Sequence, residues 1–362
     1  VFVCQSPLRE NSLRASLLAG GRDGSAEPRS QDLPPDGAPE TRQAPGPAGP
    51  VVLFVCANGV GRGHLTRLLA IARKMKRHRP FFFTMSHAAA WLCEQGVPFE
   101  FFAHHDHTGE RPEHWTPRLA TALRTLIDRT GARARLYDVD YVFEGVVEAL
   151  QSRPATASVW VRRGMWPQGR EHYLEAGRHF TRIVEPIDLA GEMDTGATAA
   201  DRARAVLVPP ILLVDPAERL AKTQARQRLG LPAGSPVALL DLLGNDDPGY
   251  QDLRDRLIDR ILSVPGWLVG ELRSPYAAVR QDLRGEGHRM LELPQSYRWT
   301  RAFDCAITRA GYNTFHENIL GAVPSLLVPN PAPGRDLQVL RAQWAQGEGA
   351  ALVLELDSGP DE

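Results

Sequence analysis

The chain of 362 residues carries 42 Lys+Arg against 43 Asp+Glu, 43% apolar side chains and four cysteines. A formal charge of −1 argues against a dedicated nucleic-acid binder, which carries a basic excess, and no apolar run approaches the roughly 20 residues that span a bilayer. Cysteines at 4, 56, 93 and 305 make no paired-Cys spacing, so reduced thiols and a cytoplasmic protein are expected.

The length allows two domains, each with its own core. Residues 1–50 are rich in proline and glycine, with Phe2 the one aromatic residue. Such a segment buries too little apolar surface to offset its ordering entropy, and a disordered leader is expected there. Val51–Cys56 is a continuous apolar run, as in a strand buried on both faces of a parallel sheet. A glycine loop, Asn58-Gly-Val-Gly-Arg-Gly-His64, leads into a helix whose apolar positions 65, 68, 69, 71, 72 and 75 recur at helical spacing. Strands at 80–85 and 99–103 flank a helix at 88–95. Helices are expected over 117–130, 138–150 and 171–179, and strands over 158–162 and 181–185. Prolines 209, 210 and 216 mark a hinge. A second alternating series follows, with helices at 217–229, 250–262, 276–284, 313–320 and 336–346, and strands at 237–243, 267–272, 305–308 and 325–328. The alternation predicts α/β architecture, two doubly wound domains around the hinge.

The loop at 58–64 enters a helix N-terminus, where unpaired backbone N–H groups can meet an anion. It lacks the lysine of a P-loop, and its G-x-G-x-G spacing is not that of a dinucleotide fingerprint. His64 follows the last glycine, where an imidazole could take a proton from an attacking hydroxyl or simply cap and pack. A second loop, Thr308-Arg-Ala-Gly-Tyr-Asn-Thr-Phe-His-Glu317, also follows a strand and opens a helix. Gly311 permits close approach. Asn313 or Thr314 can cap or reach an anion. Glu317 is expected on the first turn, either in a capping box with Thr314 or accepting from a vicinal diol. In the third segment, Gly321–Gln338, Asp336 and Gln338 start the next helix and could bond sugar hydroxyls.

Together, Gly59–His64, Arg309–Glu317 with Gly321–Pro329, and Pro294–Ala310 resemble the GT-B glycosyltransferases. The likeness is to family 28, in the branch of the lipid-linked peptidoglycan N-acetylglucosaminyltransferase. It spans roughly 51–355 and implies two Rossmann-like domains facing across a cleft. These are an acceptor-side domain at 51–208, a hinge at 209–216 and a nucleotide-sugar domain at 217–362. By the resemblance, Glu317 holds the ribose, while Arg309 and Gly311–Thr314 belong to the donor segment near the diphosphate. Asp336 and Gln338 face the donor sugar. Gly59, Gly61 and Gly63 approach phosphate and acceptor. His64 is the base, with Asp106 as the fallback. Transfer would be inverting and would need no metal or other cofactor.

Three features depart from the family pattern. Arg62 occupies a usual glycine position. Leu243–Asp247 carries two acids where glycine and serine are common. The chain stops at Glu362, short of the returning helices of family members, so the C-terminal domain is expected to be truncated. The partners implied are a nucleotide sugar, UDP-linked by family analogy, and a hydroxyl acceptor that is lipid-linked or a secondary metabolite. A nucleotide-sugar 2-epimerase and a catalytically inactive sugar-nucleotide-binding subunit are the alternatives. His104-His-Asp-His107 reads as part of an acceptor site more readily than as a metal site, since adjacent histidines lack a known ligand spacing. The basic run Arg73–Arg79 is a helix end or a membrane-surface contact at the inner face. Trp160 and Trp166 are core residues or sugar-stacking faces.

Overall fold

The computed structural model describes residues 2–4, 49–56, 63–242, 248–273, 283–332 and 336–356. Its strands are β1 (Phe2–Cys4), β2 (Val51–Cys56), β3 (Arg79–Thr84), β4 (Phe99–Phe101), β5 (Ala134–Asp138), β6 (Ala157–Val161), β7 (Arg182–Pro186), β8 (Ala205–Val208), β9 (Val237–Asp241), β10 (Leu268–Leu272), β11 (His288–Leu291), β12 (Cys305–Thr308), β13 (Ser325–Leu327) and β14 (Leu352–Val353). Described residues up to 56, with 72–159 and 179–181, form one compact unit; 63–71, 160–178 and those from 182 onward form the other.

In the first unit the strand order is β1-β4-β3-β2-β5-β6. β2 pairs in parallel with both β3 and β5, and all six of its residues are buried. This is what a continuous apolar run dictates for a strand covered on both faces. Phe54 stacks on Phe82 of β3 at 4.9 Å between centroids. The chain moves outward from β2 through β3 and β4, then returns to β5 on the other side. The crevice at the carboxyl end of β2 is therefore a topological switch point, the place where such sheets bind ligands.

In the second unit β7 pairs in parallel with β8, and a six-stranded sheet takes the order β11-β10-β9-β12-β13-β14. Every pair in that sheet is parallel. Its switch point lies between β9 and β12. The loop after β12 leads from there into the helix Tyr312–Leu320.

Several expectations change. Residues 2–4 pair antiparallel with β4, so that part of the expected leader is ordered as an edge strand. Of the helix expected over 138–150, Asp138 ends β5, 139–143 are a loop, and the helix itself is Glu144–Gln151. Arg135 interrupts the apolar pattern of β5. It is buried because its guanidinium donates to the carbonyls of Ala149, Arg153 and Thr156 at 3.3, 3.0 and 2.6 Å. Burial lowers its pKa to about 10. The helix expected over 171–179 is Glu171–Leu174 continued by a 3-10 turn, and that over 217–229 reduces to a 3-10 turn and Lys222–Arg228. β8, β11 and β14 were not anticipated. Most of the 276–284 helix lies outside the described residues. Cys56 and Cys305 are thiols outside any disulfide, but Cys93 is disulfide-bonded, so reduced thiols do not hold throughout.

Candidate functional site

The loop after β12 builds the second unit's site. Gly311 is the N-cap of the helix Tyr312–Leu320, in extended conformation and with no side-chain cap. A Cβ there would meet nothing within 4 Å. The first-turn N–H groups, which no helix satisfies internally, therefore open at the sheet's switch point. Arg309 and Thr314 are half-buried. Asn313 Nδ2 donates to the Gly63 carbonyl at 3.2 Å, and its buried Oδ1 has no hydrogen-bond partner among the described residues.

The helix begins two residues before Asn313–Thr314 could cap it. Thr314 is thus not the N-cap and Glu317 is not on the first turn, so the capping-box reading is replaced. Glu317 is half-buried, beside Tyr297. Burial first, and then the Glu317 charge, raise the pKa of the Tyr297 hydroxyl.

Asp336 and Gln338 are held by protein partners. Asp336 Oδ2 accepts from Arg163 at 3.0 Å and from Arg341. Its Oδ1 accepts from Gln338 Nε2 at 3.2 Å, and Gln338 Oε1 accepts from Asn330 N at 3.2 Å. Burial opposes ionisation of Asp336, but Arg341 and Arg163 outweigh it and hold the carboxyl well below its ordinary range. Arg341 also donates to Asp188 Oδ2 at 2.7 Å and to the Ala310 carbonyl at 3.3 Å. One fully buried guanidinium thus ties together the loop after β7, the turn into the Tyr312 helix and the start of the helix Gln338–Gly347. His316, also fully buried, accepts from Leu189 N at Nε2 (3.1 Å) and donates from Nδ1 to the Tyr312 carbonyl (2.6 Å). Burial pushes its pKa down to about 4, so it is a neutral structural residue.

Gly63 and His64 open the helix Gly63–Lys74. Arg67 NH2 lies 3.3 Å from His64 Nδ1. The Arg67 guanidinium also sits 5.4 Å from the centroid of the Tyr312 ring, and that of Arg341 lies 5.8 Å from the same ring. Tyr312 Oη donates to the Ile187 carbonyl at 3.2 Å. Arg67, Asp188 and Arg341 escape the sequence reading; an arginine within a helix reads as a solvated face until its burial is seen, and nothing local marks Asp188. Gly59 and Gly61 lie outside the described residues, as do Arg62 and the two acids of 243–247.

In the first unit, His104 caps the short helix His105–Thr108, its Nδ1 accepting from Asp106 N at 3.2 Å. Burial, then the neighbouring His105, lower the His104 pKa. The Asp106 side chain is 62% exposed, with its carboxylate 3.2 Å from His104 Nδ1 and 3.0 Å from His105 Nδ1. These three residues bring ligand atoms within 4.8 Å of one another, an arrangement able to hold a metal ion. Trp160 and Trp166 are buried, which removes the sugar-stacking reading. Arg162 pairs with Glu185 and Asp201. Lys74, Lys76, Arg77 and Arg79 of the basic run are exposed. No helix among the described residues is long and apolar enough to cross a membrane.

No family model matches the chain. It is 25% identical over 312 residues, 83% of this chain and 87% of the relative, to a UDP-N-acetylglucosamine–N-acetylmuramyl-(pentapeptide) pyrophosphoryl-undecaprenol N-acetylglucosamine transferase of Thermus thermophilus. Its structure matches that of the glycosyltransferase of kitacinnamycin with a TM-score of 0.59, at 17% identity and covering 87% of this chain and 89% of that one. The fold is GT-B. The UDP-GlcNAc 2-epimerase of Neisseria meningitidis, solved bound to UDP-GlcNAc, also gives a TM-score of 0.59, at 11% identity over 84% of this chain and 87% of that one. The fold and the Thermus relative agree with the resemblance to the GT-B glycosyltransferases.

Proposed function

We propose that this protein is a glycosyltransferase that moves a hexose or N-acetylhexosamine from a nucleoside-diphosphate sugar, with UDP the expected nucleotide, to a hydroxyl acceptor. The observation that carries the reading is the helix Tyr312–Leu320. It starts without a side-chain cap at the switch point of its sheet, on a chain of GT-B fold. Preorganised N–H groups there offset the charge that develops on a departing diphosphate, and they need no cation to do so. Arg309 adds positive charge beside them. Glu317 accepts from the ribose diol. Asp336 and Gln338, locked by Arg163 and Arg341, form a rigid wall for the sugar. His64 and Asp106 are the candidates for the base that takes the acceptor's proton.

The Thermus relative acts on an undecaprenol-linked substrate, and the exposed basic run at 73–79 suits an anionic membrane surface. A lipid-linked acceptor met at the inner face of a membrane is therefore the first acceptor class to try, and a secondary metabolite the next. The equal likeness to a 2-epimerase favours that activity as the second reading. Products from UDP-sugars incubated with the full chain, with and without acceptor, separate the cases. Acceptor-dependent glycoside supports transfer, while an epimer formed without acceptor supports the second reading. Bound donor with neither product marks an inactive binding subunit.

A further inference from the structure

His64 is the second residue of the twelve-residue helix Gly63–Lys74, and its Nδ1 lies 3.3 Å from Arg67 NH2. A guanidinium carries N–H donors and no acceptor. The contact is therefore a hydrogen bond only when Nδ1 has no proton. A neutral imidazole with a bare Nδ1 carries its proton on Nε2. We propose that Arg67 fixes His64 as the Nε2–H tautomer, so that His64 acts as a hydrogen-bond donor to an anionic oxygen of a nucleoside diphosphate and not as the base. The identity of the anion rests on the glycosyltransferase reading; the tautomer does not.

Arg67 is held where it can impose this. Its side chain is 2% exposed and packs over the Tyr312 ring, which is itself pinned through the Ile187 carbonyl. A base must end its step as imidazolium. For His64 that would break the bond from Arg67 and place a cation 3.3 Å from a guanidinium. It would also put that cation on the first turn of a helix, where the helix field favours anions. A neutral Nε2–H in the same place adds one more donor to a site that already collects them. The pairing couples the glycine-loop helix to the first residue of the Tyr312 helix, because Arg67 touches both His64 and the Tyr312 ring. Arg67 is the positioning residue, and His64 is the one that meets the ligand.

The test uses the full chain with 15N-labelled histidine. The His64 signals are assigned by their loss in His64→Gln. At mildly alkaline pH, Nδ1 should resonate as an unprotonated nitrogen and Nε2 as a protonated one. UDP should then shift the Nε2–H signal. Arg67→Met should let the two tautomers mix, which a merely structural arginine would not do. In UDP titrations, His64→Gln, whose amide N–H replaces the lost donor, should weaken binding by less than about tenfold, while His64→Ala should lose on the order of tenfold or more. A protonated Nδ1 in the wild type overturns the proposal. So does equal loss of affinity in both His64 variants. Failure of UDP to bind, with the Nε2–H tautomer present, would count against the glycosyltransferase reading and the diphosphate role, and would leave the tautomer assignment standing.

Discussion

Arg341 Nε donates to Asp188 Oδ2 at 2.7 Å, with the two side chains 0% and 2% exposed. The same guanidinium reaches Asp336 and the Ala310 carbonyl. One residue thus fixes two loops and the start of a helix around the proposed donor site. Removing one partner from a buried ionic set leaves uncompensated charge, which costs about 3–5 kcal/mol. Arg341→Met should lose that much in urea unfolding at neutral pH. A loss below about 1 kcal/mol, the range of an exposed pair, would show that the cluster does not act as a unit.

His316 gives a pH dependence whose sign is fixed. Its folded pKa of about 4 lies below the unfolded value of about 6.5. The unfolded chain therefore binds the extra proton between these values. Stability should be complete above about pH 6.5 and should fall as pH drops toward 4, by on the order of 3 kcal/mol. Denaturant midpoints from pH 8 to 4 measure this. His316→Gln should flatten the slope between pH 6.5 and 5, and an unchanged slope would remove the assignment. Below that window Asp336 adds a loss of its own. Its depressed pKa stabilises the fold above the ordinary carboxylate value, and that contribution disappears as pH falls further.

Gly321 closes the Tyr312 helix over Tyr297. A Cβ there would stand 2.6 Å from both the Glu317 carbonyl and Tyr297 Oη. The backbone angle is ordinary for any residue, so the requirement is for space alone. Gly321→Ala should cost about 1–3 kcal/mol, read as a lower thermal midpoint. It should also weaken UDP binding, because Tyr297 and Glu317 are neighbours.

Glu317→Ala should weaken UDP binding about tenfold or more if the carboxylate accepts two ribose hydroxyls, since charge-assisted hydrogen bonds are worth about 1.5–3 kcal/mol. Binding of UDP at wild-type affinity would end the ribose assignment. Glu317→Gln, which keeps one acceptor, should fall between the two.

The framework was legible where one physical signal dominates. Val51–Cys56 is apolar throughout, and a strand buried on both faces asks for nothing else. The loop after β12 is visible as a strand-to-helix turn. β5 was not, because Arg135 looks solvent-facing until three carbonyls converge on it. The start of the Tyr312 helix was misplaced because Thr314-x-x-Glu317 copies a capping box, while the real N-cap, Gly311, has no side chain to announce it. The partners of Asp336 are not legible in the sequence: Arg163 lies 173 positions away in the chain and holds it, and no local pattern encodes a contact of that separation.

The most direct measurement is calorimetric titration of the folded full chain with UDP and UDP-N-acetylglucosamine, supported by thermal shift with the thymidine and guanosine counterparts. Saturable binding of one nucleotide class is expected. At about 100 times the dissociation constant the nucleotide should stabilise the chain by about 2.7 kcal/mol, with both effects reduced in Glu317→Ala. A well-folded chain that binds none of these nucleotides would contradict the proposed function.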